Sequence, residues 1–336
     1  MTQATPSSNR PTERPSGGGA MFFFCGLLIG AATVGFVLAA RSTQQATPDE
    51  VAILAEVPPS VKSLHPSNAP GLQNVFRLGD NLYSGSSPDD EVAFASLIRL
   101  GVKTVISVDS ATPDLELAHQ FGLRYVHLPI SYQSVPRETI VKLVRTSREL
   151  PGPIYLHCHH GHHRGPAAAV ALWRCLDKSV SGLQAQAAMT MIGTGDRFTG
   201  LYASAKELVR PTLAELEADS SELLEVAPVA PLAKAMAEID RMWDRAVADE
   251  TDVTAISMQL TIAFDIAEHF RDAASLSDVT DDELKRDLLE TADELDRFAE
   301  TIKSGMRDSS APNEGRTSAI TRVSARCNEC HARLRD

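Results

Sequence analysis

Residues 154–165 read Ile154-Tyr155-Leu156-His157-Cys158-His159-His160-Gly161-His162-His163-Arg164-Gly165. A short apolar run, PIYLHC, has the pattern of a buried strand and leads straight into the cysteine. Gly161 lets the backbone turn sharply, and GPAAAVALWRCL, starting at Gly165, leaves as a helix of small residues. Strand, tight loop and helix in this order bring loop amides and a helix N-terminus to one point, which suits a phosphate dianion. Arg164 stands six residues after Cys158 and offers a bidentate guanidinium fork to the same anion. The positive field of such a cradle favours the thiolate of Cys158, which can attack phosphorus and split ester hydrolysis into two easier steps. The expected phosphate-binding residues are His159, His160, Gly161, His162, His163 and Arg164. The four imidazoles are candidates for acids or for metal ligands, unless alternate ones simply point into solvent.

Working outward, FRLGDNLYSGS (76–86) reads as a hairpin, DDEVAFASLIRLG (89–101) as a helix ending at Gly101, and VKTVISV (102–108) as a buried strand. TPDLELAHQFG then gives a helix, LRYVHLPI a strand and RETIVKLVRTSREL a helix before the cysteine strand. Strands separated by helices predict an α/β unit, a parallel sheet flanked by helices, over 75–220. Beyond Pro228 and Pro231 the pattern changes. Four successive stretches, 231–247, 253–273, 281–305 and 318–336, carry apolar residues at helical spacing and predict an all-α four-helix bundle over 228–336.

The first unit resembles the dual-specificity protein tyrosine phosphatases, whose loop has the form H-C-x-x-G-x-x-R followed by Ser or Thr. The resemblance covers about 75–210 and includes NLYSGSSP (81–88) and GVKTVISV (101–108). It implies Cys158 as nucleophile, Arg164 as phosphate and transition-state clamp, and His157 as the neighbour that tunes the thiol. Two departures stand out. Gly165 replaces the hydroxyl that assists the leaving thiolate. The region where the family keeps its aspartate acid reads HLPISYQSVP, with Tyr132 near the expected place. Asp109, Asp114 or a loop histidine are the remaining general-acid candidates, for a step that contributes about 10²–10⁴-fold.

Near the C-terminus Cys327-Asn328-Glu329-Cys330-His331 fits C-x-x-C-H, the covalent haem attachment pattern, in which two thiols form thioethers and the histidine ligates iron. No second Cys or His pair stands nearby to complete a tetrahedral zinc site. The motif on the last helix of a bundle resembles the cytochrome c′ family. That resemblance implies one haem c on Cys327 and Cys330, His331 as proximal ligand, and a methionine of the first bundle helix, Met236 before Met242, at the sixth position. Cys175, beside Trp173, reads as a core thiol.

Residues 1–20 have the composition of a disordered tail, and 41–74, rich in proline, of a linker. Between them, Met21 to Ala40 carry no charge for twenty positions, long enough for a transmembrane helix, with a cleaved signal segment as the competing reading. Arg10 and Arg14 precede it, so the charge bias places the N-terminus inside. Haem attachment of this type occurs outside the bacterial cytoplasm, which puts both soluble units in the periplasm. A net charge of −12 excludes nucleic acid as a partner. The expected partners are a phosphorylated substrate, a redox partner, the membrane and a second copy in a homodimer. The functional expectation is a membrane-anchored phosphatase fused to a haem domain for electron transfer or for redox or gas sensing. Its rival is a catalytically weak phosphate-binding domain carried on an electron-transfer cytochrome.

Overall fold

The structure is a computed structural model that describes residues 60–65, 68–247, 253–307 and 314–334. The expected tail and membrane anchor, 1–40, and most of the linker lie outside these residues. Among the described residues no helix is long and apolar enough to cross a membrane.

The α/β unit is built on six strands: β1 (Val61–Ser63), β2 (Phe76–Leu78), β3 (Leu82–Gly85), β4 (Thr104–Ser107), β5 (Arg124–His127) and β6 (Ile154–His157). Their order across the sheet is β1-β2-β3-β6-β4-β5. The sheet is mixed rather than parallel throughout. β1, β2 and β3 form an antiparallel meander, and only β3, β6, β4 and β5 run parallel. The FRLGDNLYSGS hairpin supplies the antiparallel edge, and two-residue alternation cannot reveal the direction of the next strand. Residues 61–65 and 68–74, read as linker, belong to the fold as well: Val61 pairs with Leu78, and Ala69 and Leu72 are buried.

Seven helices accompany the sheet: α1 (Glu91–Arg99), α2 (Leu115–Gln120), α3 (Arg137–Glu149), α4 (Arg164–Leu176), α5 (Gly182–Ile192), α6 (Thr199–Lys206) and α7 (Leu213–Ala218). Successive strand side chains go to opposite faces, which separates two cores. Leu82, Ile106, Val126 and Leu156 pack with α3, α4, α5 and α6 through Leu143, Ala168, Leu172, Met189 and Leu201. Tyr83, Val105, Tyr125 and Tyr155 pack with α1 and α2 through Phe94, Leu97 and Ala118. Because both faces are covered, β4 and β6 are fully buried, which is why VKTVISV and PIYLHC read as continuous apolar runs.

Among the described residues four more helices follow, α8 (Pro231–Val247), α9 (Val253–Ala273), α10 (Asp282–Arg307) and α11 (Glu314–Leu334); the first two match the expected stretches, and α11 starts four residues before its expected one. α8 packs on α9, α9 on α10 and α10 on α11. Their core includes Ile266, Leu295, Phe298 and Val323. The segment joining the two helical and α/β parts is strapped to the sheet edge: His127 donates its backbone N–H to the Leu224 carbonyl, 2.8 Å, and Ala227 N–H to His127 Nδ1, 3.1 Å.

Candidate active site

The parallel register aligns Gly85, His157, Ser107 and His127 in one row at the carboxyl ends of the strands. The residues that follow this row, Ser86, Cys158 and Asp109, therefore meet at a single edge, where ligands of α/β sheets collect. Cys158 directly follows β6 and is 4% exposed, and Arg164 opens α4. The loop between them is pinned from several sides. Gly161 has φ +73°, and a Cβ there would meet the Gly85 carbonyl carbon at 2.4 Å and Ser86 N at 2.6 Å. Ser87 N–H donates to the His159 carbonyl, 2.8 Å. Asn74 Nδ2 donates to the carbonyls of Gly161, 2.9 Å, and Ile192, 2.8 Å, and Thr194 Oγ1 to that of His162, 2.7 Å.

Arg164 is buried and donates from Nη2 to Asp109 Oδ1 at 3.0 Å. Burial alone would raise the Asp109 carboxyl, but the Arg164 guanidinium, helped by Arg241 and His159, pulls it down to about 2. Asp109 Oδ2 and Arg164 Nε are buried without a hydrogen-bond partner, so both groups keep capacity for a ligand. Tyr132 lies under the guanidinium, whose carbon is 4.5 Å from the ring centroid. This fixes the fork in place by cation–π attraction.

His157 is fully enclosed, with Nε2 2.6 Å from Tyr125 Oη. Burial holds its imidazole down to about 3, so it acts at neutral pH as an uncharged hydrogen-bonding group. Gly165 has a steric reason. A Cβ at this position would sit 2.9 Å from Cys158 N and 3.3 Å from Cys158 Sγ, so the first turn of α4 approaches the nucleophile too closely for a serine or threonine without a backbone shift.

The expected residues divide cleanly. Cys158, Arg164, His157 and Asp109 come together. Asp114 does not: it is exposed and caps α2 by accepting from Leu117 N–H, 3.0 Å. Of the four loop histidines His159 is buried, His162 and His163 are half-buried and His160 is exposed. His159 and His160 both place Nε2 2.9 Å from Asp244 Oδ2 on α8. His162 Nδ1 lies 3.1 Å from Asn74 Nδ2. His163 stacks on Phe198, centroids 4.4 Å apart, and its Nδ1 accepts from Gly195 N–H, 3.3 Å. Sequence reasoning missed Asn74, Thr194, Arg241 and Asp244. Only Asn74 carries a local signal, a positive φ of 50° that asparagine tolerates better than most residues. Arg241 reaches from α8 to Ser87 Oγ, 3.1 Å, and the Thr112 carbonyl, 3.4 Å.

On α11, Cys327, Cys330 and His331 occupy positions i, i+3 and i+4, one face of the helix. Both thiols are free and half-buried. Cys327 packs against the same bundle core as the partly buried Met236, Met242 and Trp243. Burial, reinforced by the Asp240 carboxylate, pushes the Cys327 thiol up to about 11. Two free thiols and an imidazole on one helix face, one of the thiols packed on the bundle core, are donor types that fit a covalently held haem.

No family model matches the chain. Over 124 residues it is 32% identical to the dual specificity protein phosphatase TpbA of Pseudomonas aeruginosa strain UCBPP-PA14, a match covering 36% of this chain and 54% of that protein. TpbA of strain PAO1 is 31% identical over 118 residues, 34% of this chain and 51% of that one. The chain thus spans about half the length of the curated relatives it matches. Among solved structures, P. aeruginosa TpbA aligns with a TM-score of 0.38 and 25% identity over 45% of this chain and 92% of that one. A Cys-to-Ser TpbA in complex with pTyr aligns with a TM-score of 0.37 and 25% identity, over 44% and 89%. About a third of the chain is thus similar in sequence to the dual specificity protein phosphatase TpbA.

Proposed function

We propose that this chain is a cysteine-dependent phosphatase of phosphate monoesters, anchored in the bacterial inner membrane with its soluble units in the periplasm and joined to a c-type haem bundle. The observation that carries the catalytic part is the placement of Cys158 at the end of β6, facing the first turn of α4, with Arg164 oriented by the buried carboxylate of Asp109. A phosphate ester settles on the loop amides and the Arg164 fork. The Cys158 sulfur forms a bond to phosphorus as the bond to the ester oxygen breaks. Water then cleaves the S–P bond, releasing phosphate and regenerating the thiol.

Leaving-group protonation is where this site departs from the common pattern. Asp109 is ionised and committed to Arg164, and Asp114 caps α2, so neither is poised to give a proton. A leaving oxygen that needs little protonation is the better substrate. This favours aryl phosphates, such as tyrosine phosphate, over alkyl ones.

When bound, a haem c supplies a one-electron centre or a gas-binding iron. Cys327 and Cys330 would hold it covalently, with His331 and Met236 as the candidate iron ligands. A redox partner and a homodimer are consistent with this reading, and the 21–40 segment is the proposed anchor. The second reading, a weak or inactive phosphate-binding domain on a cytochrome, is favoured by Gly165 and by the engaged Asp109. One experiment separates them: steady-state hydrolysis of an aryl phosphate by the purified protein and by Cys158→Ser. The catalytic reading expects turnover in the first and none in the second, with vanadate binding kept in both. Equal rates remove Cys158 from the mechanism.

A further inference from the structure

Phosphate binding does not account for two of the loop histidines. His159 and His160 leave the loop on the side that meets α8, their ring centroids 4.1 Å apart at 60°. Each sets Nε2 2.9 Å from the same oxygen, Asp244 Oδ2. One helical turn earlier on α8, Asp240 brings a carboxylate oxygen into the same space. Its oxygen and one nitrogen from each imidazole all lie within 4.8 Å of one another. Asp240 and Asp244 are four residues apart and share a helix face. His159 is more than nine-tenths buried, yet its Nδ1 has no hydrogen-bond partner. A buried imidazole engaged in an ordinary ion pair is expected to satisfy both nitrogens.

We propose that His159, His160 and Asp240, with Asp244 hydrogen-bonded to both imidazoles, form a binding site for a first-row divalent cation of the zinc type, bridging the cysteine loop and the first bundle helix. Two imidazoles and one carboxylate make a three-donor nitrogen–oxygen set that leaves a fourth position for water. This suits tetrahedral zinc and its first-row neighbours. It does not suit calcium or magnesium, which take six or more ligands, nearly all oxygen. The donors come from two parts of the chain that the sequence separates by about eighty residues. Such a cation therefore acts as a staple: it fixes α8 on the residue next to the nucleophile and neutralises Asp240 and Asp244 where they face the loop.

The test is the zinc content of the purified full-length protein, measured by elemental analysis after loading with zinc and removal of the excess, so that haem iron is counted apart. Stoichiometric zinc is expected, with near-complete loss in His160→Ala and in Asp240→Asn. Both positions are at least partly exposed, so these variants are expected to keep their far-ultraviolet circular dichroism. Asp244→Asn, which preserves shape, gives a third reading should either of them unfold. Cys330→Ser is expected to retain the zinc. Absence of zinc from the parent protein, its persistence in the double variant His160→Ala/Asp240→Asn, or its loss in Cys330→Ser alone each overturns the site.

Discussion

Asp109 and Arg164 are each one side chain, but together they decide what chemistry the loop can do. A carboxylate held at about 2 is a poor proton donor near neutrality and a good anchor for a guanidinium. Asp109→Asn is therefore expected to lower kcat/KM for an aryl phosphate and to weaken vanadate binding in parallel, each roughly 10-fold or more, because the fork loses its orientation. A fall in kcat alone, with vanadate affinity unchanged, would instead mark Asp109 as the general acid. The same residue carries a pH signature. Its carboxyl falls from the ordinary 3.8 to about 2 on folding, so its contribution to stability is present above pH 3.8 and is lost as pH drops through about 2. The variant should flatten acid unfolding in that window, measured by denaturant titration at stepped pH. His157 works in the opposite sense. Held neutral down to about 3, it adds no charge near Cys158 at physiological pH.

At the scale of elements, the site depends on how closely three backbones approach. The loop after β6, the turn after β3 and the start of α4 are packed so tightly that glycine at 161 and 165 leaves no room for a Cβ. Gly161→Ala combines a positive φ with a backbone clash at Gly85–Ser86. It is expected to cost about 1–3 kcal/mol of stability and to abolish vanadate binding, checked by chemical denaturation and calorimetry. Unaltered binding would show that the loop can rebuild elsewhere. Most of these elements were legible in the sequence, because buried strands and amphipathic helices leave strong periodic patterns: PIYLHC, VKTVISV and the four bundle helices fall where their apolar spacing puts them. β1 was not legible. VKS is three residues long, its pairing with β2 is tertiary, and the neighbouring prolines resemble a spacer. The partners of the loop were equally hidden, since Asn74 precedes the cysteine by more than eighty residues and Asp244 follows it by as many. Nothing local in either segment points to the other.

For the molecule as a whole, α8 belongs by its core to the bundle and by its polar face to the cysteine loop. Ile239 and Ala246 are buried with Phe298 and Leu295, while Asp244 meets His159 and His160, and Arg241 meets Ser87 and Thr112. On its inner side the same helix presents Met236 and Met242 to the cluster that contains Cys327. If Met236 reaches the haem iron, the oxidised protein should show the weak far-red band of Fe–Met haems, and Met236→Ala should remove it and admit carbon monoxide to the ferrous form. A high-spin spectrum in the parent protein would exclude that ligand. The helix also bears on Cys158. Ser87 holds the His159 carbonyl, and Arg241 holds Ser87, so loosening Arg241 should let the loop open more often. A hydrogen bond from a charged group contributes about 1.5–3 kcal/mol, and loss of one such anchor corresponds to roughly 10-fold more frequent local opening. Arg241→Ala is thus expected to speed alkylation of the buried Cys158 by iodoacetamide about 10-fold. Cys175, on the far end of α4, should react at its former rate and serve as the internal control. Equal acceleration at both cysteines would mean general destabilisation, and an unchanged rate at Cys158 would show that α8 rests against the loop without restraining it.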